Sequence, residues 1–310
     1  MFEPPHELAK LLKTAQAIRR PLPIRLRALS LVTQTIDRMF TEPEGAVLAQ
    51  TALNDRAHQQ DKPHLSPSLS LGASDVASIF GEIEQIFREQ ITPALARRQI
   101  YITPLECLAD EQRQWLQGYF THRIYPLLTP LAVDPGHPFP YISSDSLNYL
   151  MILQASNVPG AGAGPLYARL KVPRRAVPRI VPIPTSPQTT NNSSLRYDLA
   201  WSEDIVRYFA AQLFPGMFVR AIYQFHVLRG VHAPVPTLHL ETLGEQKADA
   251  VVRLDIEEKI PGWILHWLLE HLEVPPEVVV RCTAPLSMTS LTDLADTAIP
   301  LLEMHKRIKT

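Results

Sequence analysis

Five cations and no acid fall within eleven residues of this chain, at Arg169, Lys171, Arg174, Arg175 and Arg179. A guanidinium group grips phosphate-type oxygens with two parallel N–H donors, and a lysine adds a compact point charge. The run is therefore the best local candidate for a polyanion contact. The plain alternative is a solvated strand face. His137 lies in Pro135-Gly-His-Pro-Phe-Pro140. To act as a nucleophile it would need a partner base or a phosphoryl pocket, whereas a rigid turn explains the same residue types. His266 and His271 are five apart in a helical stretch and off a common face, so they are not read as metal ligands. Gly160, Gly162 and Gly164 lack the spacing of a nucleotide fingerprint, and a strand rather than a helix is expected after them. Neither Gly-x-x-x-x-Gly-Lys nor Gly-x-Ser-x-Gly occurs. Cys107 and Cys282 have no Cys-x-x-Cys spacing and read as two reduced thiols of a cytoplasmic protein.

The charge is balanced, with 30 Lys+Arg against 31 Asp+Glu, so no global field favours nucleic acid or a membrane surface. An anion site has to be a local patch. The 310 residues, 45% of them hydrophobic, suit two domains with a sizeable core. Apolar stretches such as Tyr149–Leu153 fall far short of the ~20 residues of a membrane span. Met1-Phe-Glu-Pro-Pro-His6 does not read as a signal sequence.

The elements that must position these residues follow from periodicity. Helices are expected over Glu7–Ile18, with Leu8, Leu11, Leu12, Ala15 and Ile18 at helical spacing, and over Ile24–Phe40. A polar stretch from Thr41 to Gly72 reads as a loop, and a long helix begins at Ser74 or Asp75. From Ile100 the character changes. A short strand at Tyr101-Ile102 and a helix over Asp110–Phe120, burying Trp115, Leu116 and Phe120, precede a proline-rich run. Leu147–Gln154 is an apolar strand. In the next one, Leu166, Ala168, Leu170 and Val172 face one way and Tyr167, Arg169 and Lys171 the other. The 29 prolines favour short elements, among them strands at Arg179–Ile183, Leu195–Leu199, Phe218–Leu228 and Val251–Ile256. Helices are expected at Ser202–Phe214, Pro261–Leu272 and Leu291–Lys309. Trp263, Ile264, Trp267, Leu268 and Leu272 form a core stripe on the second of these, or a subunit contact. Helices first and mixed elements second predict a multi-domain chain. An all-α N-terminal helical domain (1–104) is followed by an α+β domain (105–310).

The run Tyr125-Pro-Leu-Leu-Thr-Pro-Leu-Ala-Val-Asp-Pro-Gly-His-Pro-Phe-Pro-Tyr-Ile-Ser-Ser-Asp-Ser-Leu-Asn148 resembles the signature opening the middle, or head, domain of long-chain polyphosphate kinases. Arg25–Phe40 and Gln90–Leu95 are similar to that family's N-terminal helical motifs. Leu170–Pro173, Pro178-Arg179, Leu213–Gly216, Tyr223–Phe225 and Ala284–Leu291 continue the likeness in order.

The resemblance implies a phosphotransferase family whose reaction is ATP + polyphosphate(n) = ADP + polyphosphate(n+1). It runs through a phosphohistidine on a C-terminal pair of domains, with magnesium. No residue here matches that histidine, so no catalytic or metal residue is expected, and ATP and magnesium are the family's cofactors rather than this chain's. Thr35 takes the place of a nucleotide-contacting Asn, with Asp37 retained, and His226 stands where the family usually has Arg. The acidic stretch that normally follows is shortened to Thr237–Asp249. The expectation is a catalytically incomplete N-terminal and head module. It binds polyphosphate or ATP weakly, or assembles as a homodimer or with a complete polyphosphate kinase. The alternative is the non-catalytic half of a split or truncated active kinase.

Overall fold

A computed structural model describes residues 6–41, 73–133, 139–155, 166–173, 176–184, 196–230, 250–282 and 290–308. Helices lead. Helix α1 (His6–Gln16) buries Leu8, Leu12 and Ala15, one per turn. Helix α2 (Leu22–Thr41) carries Pro23 in its first turn, where the missing N–H costs nothing. It turns Leu22, Leu26, Leu29, Ile36 and Phe40 inward. Helix α3 (Ala73–Ile86) buries Val76, Ile79, Phe80, Ile83 and Ile86. A π-helical turn, Phe87–Ile91, joins it to α4 (Thr92–Ala96), whose first turn holds Pro93.

Strand β1 (Ile100–Ile102) runs parallel to β6 (Tyr197–Trp201), which pairs antiparallel with β5 (Ile180–Ile183), giving the order β1-β6-β5. Helices α5 (Asp110–Tyr119) and α6 (Ser202–Tyr208) flank this small sheet. The main sheet has the order β2-β4-β3-β7-β8-β9. Its strands are β2 (Leu131–Val133), β3 (Ser146–Ala155), β4 (Leu166–Lys171), β7 (Met217–Gly230), β8 (Ala250–Glu257) and β9 (Val279–Cys282). All its pairings are antiparallel except β8–β9, which is parallel and needs a crossover. Helix α7 (Gly262–Leu272) supplies that crossover, and α8 (Ser290–Ile308) closes against α2. The α2–α8 contact is hydrogen-bonded as well as apolar: Ser30 Oγ lies 2.5 Å from Thr292 Oγ1, and Gln34 donates to the same hydroxyl.

Both faces of the main sheet are covered. Leu147, Tyr149, Met151, Leu153, Ala168 and Leu170 join the helices α1–α3 and α8 in one apolar core, which also contains Leu95, Ile100, Leu105 and Leu108 on either side of residue 104. On the opposite face Leu150, Ile152, Phe225, Leu254 and Ile256 pack with Ile264 and Leu268 of α7. Gly230, the last residue of β7, lies close against the end of α2. A Cβ there would stand 2.5 Å from the Phe40 carbonyl oxygen, so only glycine fits.

Four expectations are corrected. Helix α1 ends at Gln16, and Ile18 beyond it is exposed. Trp115 is exposed and stacks on Tyr119; the inward positions of α5 are Gln112 and Leu116, with Phe120 a turn further on. The helix from Ser202 ends at Tyr208, and a 3₁₀ turn over Ala210–Leu213 follows. Trp263 lies on the open side of α7, leaving Trp267 to stack on Tyr167 at 4.7 Å. The expected loops at 41–72, 159–165 and 186–194 lie outside the described residues, apart from Thr41 at the end of α2. Among the described residues no helix is long and apolar enough to cross a membrane.

Candidate functional site

The opening of β3, the end of β4, the end of β7 and the start of β8 meet at one end of the main sheet. The segment 139–145, part of the long proline-rich run, arrives there. It enters β3 through Asp145, whose φ of 49° lies in the left-handed region. Aspartate tolerates that region better than most residues, yet it still costs on the order of 1 kcal/mol, a strain typical of positions the surrounding structure dictates.

Three consecutive side chains then each hold a cation or a cationic strand. Ser143 Oγ accepts from Lys171 Nζ at 2.6 Å. Ser144 Oγ accepts from the Arg229 backbone N–H at 2.8 Å and donates to the Arg229 carbonyl at 3.2 Å. Asp145 Oδ1 lies 3.1 Å from His226 Nε2. Arg229 itself donates to the Ile142 carbonyl and lies over the Tyr141 ring, 4.6 Å from its centre. This end of the sheet therefore presents the exposed Lys171 beside the half-buried Arg229.

Behind that rim runs a buried chain of charge. His226, fully buried, places Nδ1 3.0 Å from Asp255 Oδ2. Asp255 accepts from Arg253 Nε and Nη2, and Arg253 Nη2 also donates to Asp37 of α2 at 2.6 Å. The Arg253 guanidinium sits 5.3 Å from the ring centres of both Phe40 and Phe80, where ring faces attract a desolvated cation. Its Nη1 has no hydrogen-bond partner among the described residues. Burial alone would push the Asp255 carboxyl up, but the Arg253 charge and the His226 hydrogen bond hold it below the usual range. Burial likewise opposes the charge on His226, but hydrogen bonds to Asp145 and Asp255 and the nearby Asp37 raise its pKa above the ordinary value. The chain ties α2 to the sheet and to the 143–145 turn.

The residues singled out from sequence fall in different surroundings. Arg169 and Lys171 share a strand face, but α7 and the 139–145 segment overlie that face. Arg169 is buried, giving two hydrogen bonds to Asn148 Oδ1 at 2.9 and 2.6 Å, and burial lowers its pKa. Lys171 reaches the surface. Arg179 is buried and paired with Glu203 at 2.6 Å. Arg174, Arg175 and His137 lie outside the described residues. Thr35 is buried on α2, two residues before Asp37, with Arg38 Nη2 3.5 Å from its hydroxyl. Sequence reading of binding residues passes over Arg253, Asp255, Asp145 and Arg229. The signal that could find them is charge inside apolar strands, as in Val251-Val-Arg-Leu-Asp-Ile256, since a charge on a strand covered on both faces has to be paired.

Chemically, this arrangement pairs and orients charge. Both ring nitrogens of His226 are engaged by carboxylates, and Nδ1 of His122 and of His271 each lies 2.8 Å from a carbonyl of its own helix. Among the described residues no group of three or more His, Cys, Asp or Glu is arranged to hold a metal ion.

Fold and site together define a helix-and-mixed-sheet unit in which the segment 143–145 steadies cations at one end of the main sheet. Residues 111–294 match the family model of the polyphosphate kinase middle domain, and the chain belongs to the polyphosphate kinase family. It is 28% identical over 301 residues to the polyphosphate kinase of Parasynechococcus marenigrum (strain WH8102), covering 93% of this chain and 41% of that protein. Against the polyphosphate kinase of Thermosynechococcus vestitus the figures are 29% over 276 residues, 86% and 36%. The chain thus spans about two fifths of the length of these relatives. The fold is similar to the crystal structure of polyphosphate kinase from Porphyromonas gingivalis, with a TM-score of 0.71 at 21% identity over 92% of this chain and 39% of that one.

Proposed function

We propose that this chain is a cytoplasmic polyphosphate-handling head module that does not itself transfer phosphate. On this reading polyphosphate lies along the rim that carries Lys171 and Arg229, and Arg174 and Arg175, which follow Lys171 in the sequence, add to its cations. The observation that carries the reading is Lys171. It is an exposed ammonium at the end of β4, steadied by Ser143, and only two residues separate it from the next two arginines in sequence. Arg169 and Arg179 act from the interior, fixing the strands through Asn148 and Glu203. Thr35 offers a nucleotide one hydroxyl where an Asn would offer an amide donor and a carbonyl acceptor, so a purine contact there is weakened. The proposed division near residue 104 sets most of the helices before it and the Lys171 rim after it, over one shared apolar core.

The test is calorimetric titration of the purified chain with long-chain polyphosphate at several salt concentrations. Wild type is compared with Lys171→Ala and with the Arg174→Ala, Arg175→Ala pair. Each cation that touches phosphate contributes about 0.7 to the logarithmic salt slope on a flexible single-stranded polyanion. The variants should lose affinity and slope together, and unchanged values in both would retire the site.

Coverage of the relatives favours a second reading, in which the chain is the non-catalytic part of an active kinase. It would then assemble as a homodimer, or with a complete polyphosphate kinase or a chain bearing the catalytic domains, and the family reaction with ATP would run only in the assembly. Adding such a partner to the same titration distinguishes the two: a phosphate-transfer rate above that of the partner alone selects the second.

A further inference from the structure

We infer that a proton on His226 locks residues 143–145 against the sheet, and that neutralising this imidazolium loosens the polyanion rim and weakens binding there. The inference rests on the polyphosphate reading of Lys171 given above.

The geometry requires the proton. Nδ1 faces Asp255 Oδ2 at 3.0 Å and Nε2 faces Asp145 Oδ1 at 3.1 Å. An ionised carboxylate only accepts, and a neutral imidazole has one N–H, so the neutral ring would set a lone pair against a carboxylate on one side. Only the imidazolium satisfies both. The groups facing the ring are Asp145 from the turn, Asp255 and Arg253 from β8, and Asp37 from α2. Cys282 of β9 is a neutral thiol, pushed up by burial, that senses Asp255 and, from α3, Glu84. Three carboxylates against Arg253 and His226⁺ leave one net negative charge; deprotonation leaves two in a buried site.

The contact that gives way is the one to Asp145. Asp255 is fully buried and held by Arg253, whereas the Asp145 side chain is 57% exposed and can turn to water. Its backbone is in the left-handed region, so release also relieves strain. Ser143 and Ser144 precede it directly, and they steady Lys171 and Arg229. A neutral His226 therefore removes one tie of the segment whose serines steady both cations of the rim.

The experiment uses the full chain. The His226 ring is followed by NMR through a pH titration, and polyphosphate affinity is measured by calorimetry below and above its midpoint. A midpoint above the ordinary value of about 6.5 is expected, with affinity falling about tenfold or more across it. His226→Asn, which keeps one donor without the charge, should bind weakly with no step in pH. A midpoint at or below about 6.5, or affinity unchanged through the titration, overturns the inference. No binding at either pH refutes the polyphosphate reading instead. Amide exchange at 143–146, corrected for intrinsic pH dependence, then decides the lock alone. Protection lost on neutralisation upholds it, and protection unchanged overturns it. The wild-type titration decides between these outcomes even if the variant fails to fold.

Discussion

Replacing Arg253 by Met should be among the most damaging single changes in this protein. The side chain is 1% exposed and lies between Phe40 and Phe80, so Met keeps most of the stem volume and loses only the charged head. Three hydrogen bonds disappear: two to Asp255, and one to Asp37 that crosses to α2. Asp255 has no solvent to turn to and keeps only His226. Removing one partner of a buried ion pair costs about 3–5 kcal/mol, chiefly because the other charge is left uncompensated. The Asp37 side chain, 16% exposed, contributes less of that loss. Urea unfolding followed by far-ultraviolet circular dichroism at about pH 7 should show this deficit with little change in slope.

The deficit should also depend on pH in a definite direction. In the wild type the Asp255 pKa is held below its unfolded value, so its contribution is present above about pH 4 and is lost as pH falls through the folded pKa. In the variant burial is no longer opposed by Arg253, the carboxyl titrates higher, and acid neutralises it early. The gap between the two proteins therefore narrows toward low pH. Stability within about 1 kcal/mol of wild type at neutral pH, or a gap that does not narrow in acid, would refute the claim that this chain staples α2 to the sheet.

Three further outcomes are expected. Gly230→Ala forces a methyl against the Phe40 carbonyl and the Val252 side chain, which should cost about 1–3 kcal/mol and raise amide exchange at the end of α2. Glu203→Gln removes the carboxylate that pairs with the buried Arg179, and urea unfolding should register a loss of up to about 3 kcal/mol. The His226 contribution has the opposite pH sense to that of Asp255. Its pKa is raised on folding, so the stabilisation is full below about pH 6.5 and is lost as pH rises through the folded value. Wild-type unfolding midpoints should fall over that interval by more than those of His226→Asn, in which the buried Asp204, pushed up to about 7, still titrates.

Much of the fold is legible in the sequence because it is local. Leu8, Leu12 and Ala15, or Ala168, Leu170 and Val172, declare their period within a few residues, and the helix and strand follow. Strands β2 and β9 escape such a reading, since three or four residues do not establish an alternation. Trp115 reads as buried from its hydrophobicity, but Leu116 fills the inward position and the indole stacks along its own helix. The cations of the Arg169–Arg179 run are legible as charge and not as exposure. Which face α7 covers depends on a crossover closed more than eighty residues later. The buried chain is the least local feature. Asp37 and Arg253 are 216 positions apart, and only the packing of α2 on β7 and β8 brings them together. The 143–145 turn is visible as part of a specific motif, yet its work of holding Lys171, Arg229 and His226 depends on the register of three strands.

The most direct measurement is the affinity of the unmodified chain for long-chain polyphosphate at two salt concentrations. Micromolar or tighter binding at low salt that weakens as salt rises is the expected result, with the logarithmic slope reporting two to four phosphate contacts, about 0.7 each. The absence of binding at low salt, or binding indifferent to salt, would contradict a polyanion site at the Lys171 rim.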